Sequence, residues 1–176
     1  MAQFILAIDQ GTTGTTVLVV DVTQPDATNI IGKQTVDFTQ HYPQTGWVEH
    51  DLDGIWSSVT QAAGQALAQA SAADKSFDAN KIVGIGLTNQ RETLCVFERQ
   101  TGKPLARAIV WQCKRSAAIC QRLRAAGLET TVKTKTGLVL DPYFSGTKIT
   151  WLMENNPELA QSVRRGHAVF GNIDTY

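Results

Sequence analysis

The sequence predicts an α/β fold with a mixed sheet and flanking helices. Two apolar runs, Phe4–Ile8 and Val17–Val20, surround a turn that contains two glycines. This pattern is typical of a hairpin whose strands are buried on both faces. Apolar residues then recur at helical spacing through 55–70, and a further apolar run, KIVGIGL, occupies 81–87. A strand, a helix and another strand in this order indicate a right-handed crossover to a parallel strand.

The segment between the hairpin and the helix predicts a third strand. Residues 24–29 (QPDATN) form a turn cluster, and 30–38 alternate as an antiparallel strand. We expect Asp51 to be the N-cap of the helix, and the polar segment 71–80 to end it. The apolar stripe that should pack on the sheet consists of Ile55, Trp56, Val59, Ala62, Ala63, Ala66, Leu67 and Ala70.

The second half of the chain predicts short strands and short helices. Leu94–Phe97 and Ala108–Trp111 have strand character and are separated by a turn at 100–104. Ser116–Ala126 is predicted to be helical, with Gly127 ending the helix. No element is assigned to the threonine- and lysine-rich stretch that follows.

The last forty residues predict two helices and a final strand. Ser145 is expected to cap the first helix, and Asn156-Pro157 has the N-cap and N1 residues that begin the second. A strand starts at Ala168, and the first turn of another helix should follow it. We therefore expect residues 1–176 to be one incomplete domain, which contains no linker or internal repeat.

Composition excludes several classes of function. Sixteen basic and sixteen acidic residues give zero net charge, so the sequence has no electrostatic signature of nucleic-acid or membrane binding. No apolar run approaches the roughly 20 residues of a membrane span, and no signal peptide is recognisable, so a cytoplasmic location is expected. The cysteines and histidines lack metal-ligand spacing and are expected to be reduced and non-ligating; they are Cys95, Cys113, Cys120, His41, His50 and His167.

The turn of the first hairpin, DQGTTGTT at 9–16, has the residues of a phosphate-binding loop. Gly11 and Gly14 allow a ligand to approach the backbone closely, and threonine hydroxyls and backbone N–H groups can face a phosphate. Asp9, at the carboxyl end of a strand, could hold a hydrated Mg²⁺. The alternative is an ordinary glycine-containing hairpin in which Asp9 closes an Asx turn, and the pattern alone favours it.

A second polar group, Gln90-Arg91-Glu92, follows the apolar run at 81–87. Arg91 offers a rigid fork of donors and Glu92 accepts hydrogen bonds, so the pair can hold a small polyol by its hydroxyls. Trp111 and Tyr143 could add an apolar wall and a hydroxyl. The alternatives are a surface ion pair and two ordinary core or rim aromatics. Lys114-Arg115 is interpreted as a solvated start of a helix.

Six segments, in unbroken order along the chain, resemble the glycerol kinases of the FGGY family of carbohydrate kinases. They are DQGTTGTT, GWVEHD at 46–51, GLTNQRET at 86–93, TGKPL at 101–105, IVWQ at 109–112 and TGLVLDPYFSGTK at 136–148. The resemblance implies an actin-like, ribonuclease H-like fold. It also implies that residues 1–176 are the N-terminal part of a kinase whose C-terminal nucleotide-binding domain is absent.

The resemblance implies roles for nine residues. ATP and Mg²⁺ would be the cofactors, with Asp9 near the metal, and glycerol would be phosphorylated to sn-glycerol 3-phosphate. The catalytic base is expected beyond residue 176, so the fragment alone should be inactive. The turn residues assigned to ATP are Thr12, Thr13, Gly14 and Thr16, and those assigned to glycerol are Arg91, Glu92, Trp111 and Tyr143.

Three positions depart from the family pattern. Thr16 stands where the family usually has a phosphate-contacting arginine, Cys113 where it has an aspartate, and Tyr176 where it has a tryptophan. Two alternative functions stay open. One is a kinase for another polyol or sugar, against which the combined polyol residues argue, and the other is a non-catalytic actin-like binding module, which Thr16 favours. The expected partners are glycerol and ATP or ADP, with no nucleic acid and no membrane, and a homo-oligomer is left open for the full-length form.

Overall fold

A computed structural model describes residues 2–24 and 27–176, so Pro25 and Asp26 of the predicted turn lie outside it. Two compact units are present: Met1–Thr39 with Asp53–Gln90, and Gln40–Leu52 with Arg91–Tyr176. The strands are β1 (Phe4–Gln10), β2 (Gly14–Gln24), β3 (Ala27–Asp37), β4 (Gln40–His41), β5 (Glu49–His50), β6 (Ile82–Asn89), β7 (Cys95–Glu98), β8 (Ala108–Ile109) and β9 (Ala168–Gly171). The helices are α1 (Leu52–Ala73), α2 (Ala117–Ala125), α3 (Glu129–Thr136), α4 (Ser145–Asn155) and α5 (Pro157–Arg164).

The first unit contains the predicted mixed sheet, with strand order β3-β2-β1-β6. β1 pairs antiparallel with β2, β2 pairs antiparallel with β3, and β6 returns parallel to β1 after α1. This arrangement confirms the α/β prediction and the crossover. The third strand begins at Ala27, earlier than predicted.

The sheet of the first unit is buried on one face only, so the prediction of two buried faces is wrong. Leu6, Val17 and Val19 pack against three fully buried alanines of α1, Ala62, Ala66 and Ala70. Residues of β1 and β2 that point away from α1 are only partly buried.

Strand β6 was predicted to be buried, and this is also wrong. Val83, Ile85 and Leu87 are 59%, 67% and 59% exposed. β6 is an edge strand that pairs with β1, and of its apolar side chains only Ile82 packs against the cluster formed by the α1 alanines. An apolar run in the sequence identifies a strand but does not show whether another layer covers it.

Helix α1 ends at Ala73, within the polar segment 71–80 that was expected to end it. The Ser71 hydroxyl donates to the Leu67 carbonyl at 3.1 Å, so this serine is accommodated within the helix. Trp56 belonged to the predicted buried stripe but is 61% exposed. No helix within the described residues is long and apolar enough to cross a membrane.

The second unit contains two small sheets, β4-β5-β8 and β7-β9. Its core includes Leu94, Val96, Ile109, Val110 and Leu152. The two-residue strands β4 and β5 were not predicted, because two residues show no periodicity. Helix α3 was also missed, since it has no buried residue and therefore no apolar stripe. Residues 172–176 form a turn after β9, in which the Tyr176 N–H donates to the Asn172 carbonyl four residues earlier at 3.2 Å, as expected for the first turn of a helix.

The ends of the short helices confirm two predictions and correct one. Gly127 follows α2 in the left-handed conformation at φ 72°, and the Asn156 side chain accepts from the Leu159 N–H at 3.0 Å at the start of α5. Ser145 is not the cap of α4. It is the first residue of that helix, preceded by Phe144, and its hydroxyl bonds to Glu92.

Candidate functional site

The β1–β2 turn is fixed by backbone and amide hydrogen bonds within the first unit. The Gly11 N–H donates to the Gly14 carbonyl at 2.9 Å, and the Gln10 side-chain amide donates to the Gly11 carbonyl at 2.7 Å. Gln90, at the end of β6, donates through its backbone N–H to the Gln10 carbonyl at 2.8 Å. These bonds hold the turn at the carboxyl ends of β1 and β6.

Gly14 is required by the close approach of β3. A Cβ atom there would lie 2.5 Å from Asp37 Oδ1 and 2.9 Å from the Val36 carbonyl oxygen. The neighbouring Thr15 is buried, and its hydroxyl lies 2.7 Å from that of Ser58 on α1. Thr12 is half-buried and Thr13 is exposed. Part of the glycine and threonine pattern therefore serves packing, and Thr13 is the turn threonine most open to a ligand.

Asp9 and Thr16 lie side by side on the sheet face that α1 does not cover. They pair directly across β1 and β2, and Thr88 pairs with Asp9 on the parallel strand. These three residues help to line a pocket of about 390 Å³ on this face, together with Ala7, Ile8, Leu18, Gly86 and Leu87. The Thr16 hydroxyl lies 2.8 Å from the Thr35 hydroxyl, so a neutral pair of side chains stands where the family usually has an arginine.

The described residues contain no group of three or more histidine, cysteine, aspartate or glutamate side chains that could hold a metal ion. Asp9 is exposed and stands alone at the rim of the pocket. Mg²⁺ keeps several waters and is commonly bound through one or two carboxylates and substrate phosphates, so a single carboxylate fits such an ion.

In the second unit, Glu92 is held in an unusual backbone conformation. Its φ of 62° lies in the left-handed region and is the only such value among the described non-glycine residues. Ser145 donates its backbone N–H to Glu92 Oε2 at 3.0 Å, and its hydroxyl lies 2.9 Å from Oε2 and 3.1 Å from the Glu92 carbonyl oxygen. A conformation of this kind persists where surrounding contacts fix it, and it is enriched at functional sites.

Trp111 and Tyr143 lie on chain segments that bond to Glu92 and to its neighbour Thr93. Leu94 and Ile109 form an isolated antiparallel β-bridge, and the Trp111 N–H donates to Thr93 Oγ1 at 3.2 Å. Trp111 therefore lies next to the segment that carries Glu92. The ring centroids of Trp111 and Tyr143 are 5.5 Å apart. Tyr143 directly precedes the Phe144-Ser145 start of α4. The structure therefore brings together three of the four residues assigned to glycerol.

Arg91 precedes Glu92 in the chain and is exposed. The ion pairs among the described residues do not include one between Arg91 and Glu92, so the alternative of a surface pair is not what the structure shows. A mostly apolar cavity of about 360 Å³ borders Glu92 and Ser145, but neither Arg91, Trp111 nor Tyr143 lines it. It is not the predicted polyol pocket.

Lys148, on α4, was not predicted from the sequence to have a role in this region. Its side chain is fully buried, and its ammonium donates to the carbonyls of Pro142 at 2.7 Å and Tyr143 at 2.5 Å. Burial lowers its pKa to about 8. The sequence contained one signal that Lys148 faces inward. It lies three residues after Ser145, in the helix that carries Ile149 and Leu152.

Arg115 is not part of a solvated helix start, although its neighbour Lys114 is exposed. The Arg115 side chain is 3% exposed and pairs with Glu49 at 2.7 Å. Its guanidinium lies 3.9 Å from the centre of the Trp47 ring, and its Nε donates to Cys113 Sγ at 3.0 Å. Cys113, which stands where the family has an aspartate, is therefore a buried partner of this arginine.

Comparison with known proteins identifies relatives along the whole chain. The chain is 48% identical over 174 residues to a glycerol kinase of Shewanella sp. (strain W3-18-1), a match that covers 99% of this chain and 33% of the relative. It is 48% identical over 176 residues to a glycerol kinase of Allorhizobium ampelinum, a match that covers 100% of this chain and 34% of the relative. The chain thus spans about a third of the length of these curated relatives.

Solved structures show the same fold. A Plasmodium falciparum glycerol kinase determined with ADP superimposes with a TM-score of 0.83 at 35% identity, over 99% of this chain and 33% of that one. A gluconate kinase from Lactobacillus acidophilus superimposes with a TM-score of 0.75 at 20% identity, over 90% of this chain and 30% of that one. This similarity supports the fold alone. These neighbours confirm the predicted actin-like α/β fold. The model of the N-terminal domain of the FGGY family of carbohydrate kinases matches residues 4–176, and the chain belongs to that family.

Proposed function

We propose that the full-length protein of this reading frame transfers the γ-phosphoryl group of ATP to glycerol. The observation that carries the proposal is the convergence of Glu92, Trp111 and Tyr143 in the second unit. Glycerol kinases from two bacterial genera at 48% identity support the choice of glycerol within the family. That the 176 residues form a single incomplete domain stays a prediction.

The acceptor side of the reaction uses four residues. Ser145 fixes Oε2 of Glu92, which leaves the carboxylate able to accept hydroxyl hydrogens from the polyol. Exposed Arg91 donates to hydroxyl oxygens. Trp111 covers the carbon-bound hydrogens, and the Tyr143 hydroxyl adds one more polar contact. Together they orient a three-carbon polyol with one terminal hydroxyl left free to react.

The nucleotide side uses the β1–β2 turn. Thr12, Thr13 and Gly14 bind phosphate oxygens through hydroxyls and backbone N–H groups, and Thr16 lies on the same sheet face as Asp9. Asp9 would hold a hydrated Mg²⁺, which would supply neutralisation of the charge on the phosphates. The terminal glycerol oxygen forms a bond to the γ-phosphorus while the bond to the β–γ bridging oxygen breaks. ADP leaves, and the hydroxyl proton passes to a base expected outside residues 1–176.

The test is a kinase assay on the whole protein with ATP, Mg²⁺ and glycerol, in which glycerol 3-phosphate is measured. We expect turnover with glycerol and much weaker turnover with gluconate or xylulose. Preference for one of those two substrates would establish the other-sugar alternative. No phosphorylation of any of the three would favour the binding module.

Residues 1–176 alone are expected to be inactive in the same assay. The chain spans about a third of its relatives, and the residues that hold adenine and supply the base are expected in the remainder. Correct orientation of the reactants is worth about 7–11 kcal/mol, and a general base about 10²–10⁴-fold. Turnover by the purified fragment would show that the base or nucleotide site has been placed wrongly, with Glu92 as the first candidate base.

A further inference from the structure

The first turn of α4 holds two separate parts of the candidate polyol site. Ser145 bonds to the backbone and carboxylate of Glu92, and Lys148 bonds to the carbonyls of Pro142 and Tyr143. Residues 145 and 148 are three apart and therefore lie on one side of the helix. One helical turn thus contacts the chain segments of both Glu92 and Tyr143.

Lys148 is an unusual choice for a site with no solvent access. Its side chain has 0% exposure, and an ammonium removed from water is costly unless it is hydrogen-bonded. Its two short bonds go to consecutive carbonyls at 142–143, which turns the carbonyls of that loop towards the helix. The nearby carboxylates of Glu92 and Asp141 further favour the charged form. A neutral side chain of the same length would fill the space but would leave both carbonyls without this donor.

Ser145 acts on the other side of the site. Its backbone N–H and hydroxyl both reach Glu92, and the hydroxyl can donate to either the carboxylate or the backbone carbonyl. These contacts oppose relaxation of Glu92 from its left-handed conformation. Loss of the hydroxyl would leave only one of the three contacts, so the carboxylate would sample more orientations.

We propose that Ser145 and Lys148 are positioning residues that set the affinity for the polyol, Ser145 through Glu92 and Lys148 through the loop that carries Tyr143. This inference rests on the proposed glycerol kinase activity. Neither residue is required to touch the substrate. Their effect should therefore appear in the apparent affinity for glycerol and not in that for ATP, whose proposed contacts lie on the β1–β2 turn.

The test compares whole-protein variants by steady-state kinetics with glycerol and ATP varied separately. Ser145→Ala and Lys148→Met should each raise the KM for glycerol about tenfold, the effect expected for loss of a hydrogen bond at a charged group, with little change in the KM for ATP. Ser145→Thr keeps the hydroxyl and should restore most of the glycerol affinity. Thr150→Ala is the matched control, since it removes an α4 hydroxyl that bonds within the helix to the Gly146 carbonyl at 3.3 Å.

The outcomes separate this inference from the proposed function. An unmodified protein that fails to phosphorylate glycerol would overturn the proposed function. An active parent whose Ser145→Ala variant keeps a normal glycerol KM would overturn the positioning role, and this variant decides the matter if Lys148→Met does not fold. A parallel rise in both KM values, or an equal rise in Thr150→Ala, would indicate general damage to α4 and would also contradict the inference.

Discussion

Replacement of Gly32 by alanine should separate β3 from α1. An ideal Cβ at position 32 would lie 2.3 Å from the Ala66 carbonyl oxygen and 3.2 Å from the Ala70 Cβ. The first distance is about 1 Å shorter than an ordinary carbon–oxygen contact. The obstacle is helix backbone, which cannot rotate away as a flexible side chain could. The strand and the helix must therefore move apart across the buried row of Ala62, Ala66 and Ala70.

The expected cost is that of overpacking a tight core, about 1–3 kcal/mol of the free energy of unfolding. Alanine also lowers the entropy of the unfolded chain relative to glycine, which offsets about 0.4–1 kcal/mol of this cost. Urea unfolding of the parent and the variant measures the difference, provided that the denaturant slope stays the same. Gly64→Ala is the matched control. It lies on α1, where a Cβ would have nothing within 4 Å, and it should stabilise the helix by up to about 1 kcal/mol.

A Gly32→Ala variant as stable as the parent would refute this reasoning. It would mean that β3 and α1 are not in the close contact described, or that the helix shifts without loss of packing. Equal destabilisation by Gly64→Ala would also contradict it, because that position has open space.

Three further predictions concern single side chains. Burial, with a smaller contribution from His41, lowers the pKa of His50 from 6.5 to about 4, so the unfolded chain takes up a proton first and the free energy of unfolding should fall as the pH drops from 6.5 to 4. His50→Gln should flatten that fall, by roughly 1.4 kcal/mol per pKa unit. A pH profile of stability unchanged by His50→Gln would contradict this assignment. Thr16→Arg in the whole protein should tighten ADP binding by about 1.5–3 kcal/mol in calorimetry, whereas no gain would mean that another cation compensates or that position 16 faces away from phosphate. Asn156→Ala should cost about 0.5–2 kcal/mol of unfolding free energy through loss of the α5 cap, and more than Asn155→Ala, whose amide bonds only to the Trp151 carbonyl.

The first unit was largely predictable because its sequence signals are local. Two short apolar runs identify β1 and β2, and alanines at three- and four-residue spacing identify the face of α1. The glycines of the turn were predicted to let a ligand approach the backbone, whereas the close approach that Gly14 allows in the structure is that of Asp37 on β3. For these elements, residues close along the chain identify the strands and the turn, but they did not show that one face of the sheet is uncovered.

The errors arise where burial depends on distant parts of the chain. β6 has an apolar sequence, yet its exposure depends on which layer covers it. Arg115 looks like a surface residue until Glu49 and Trp47, more than sixty positions earlier, fold around it. Lys148 was missed for a different reason, since its partners are nearby backbone carbonyls, which leave no trace in residue type. At the candidate site, the residue types were visible in the sequence, but the Ser145–Glu92 contact was not.

Glycerol is proposed to bind at the segment that begins with Arg91. The most direct measurement of this is the KM for glycerol of Arg91→Ala in the whole protein, with the KM for ATP as an internal control. Because a charge-assisted hydrogen bond to a hydroxyl is lost, we predict a rise in the glycerol KM of at least about tenfold, while the KM for ATP stays near that of the parent. Unchanged glycerol kinetics in a folded, active Arg91→Ala protein would contradict this assignment of the polyol site.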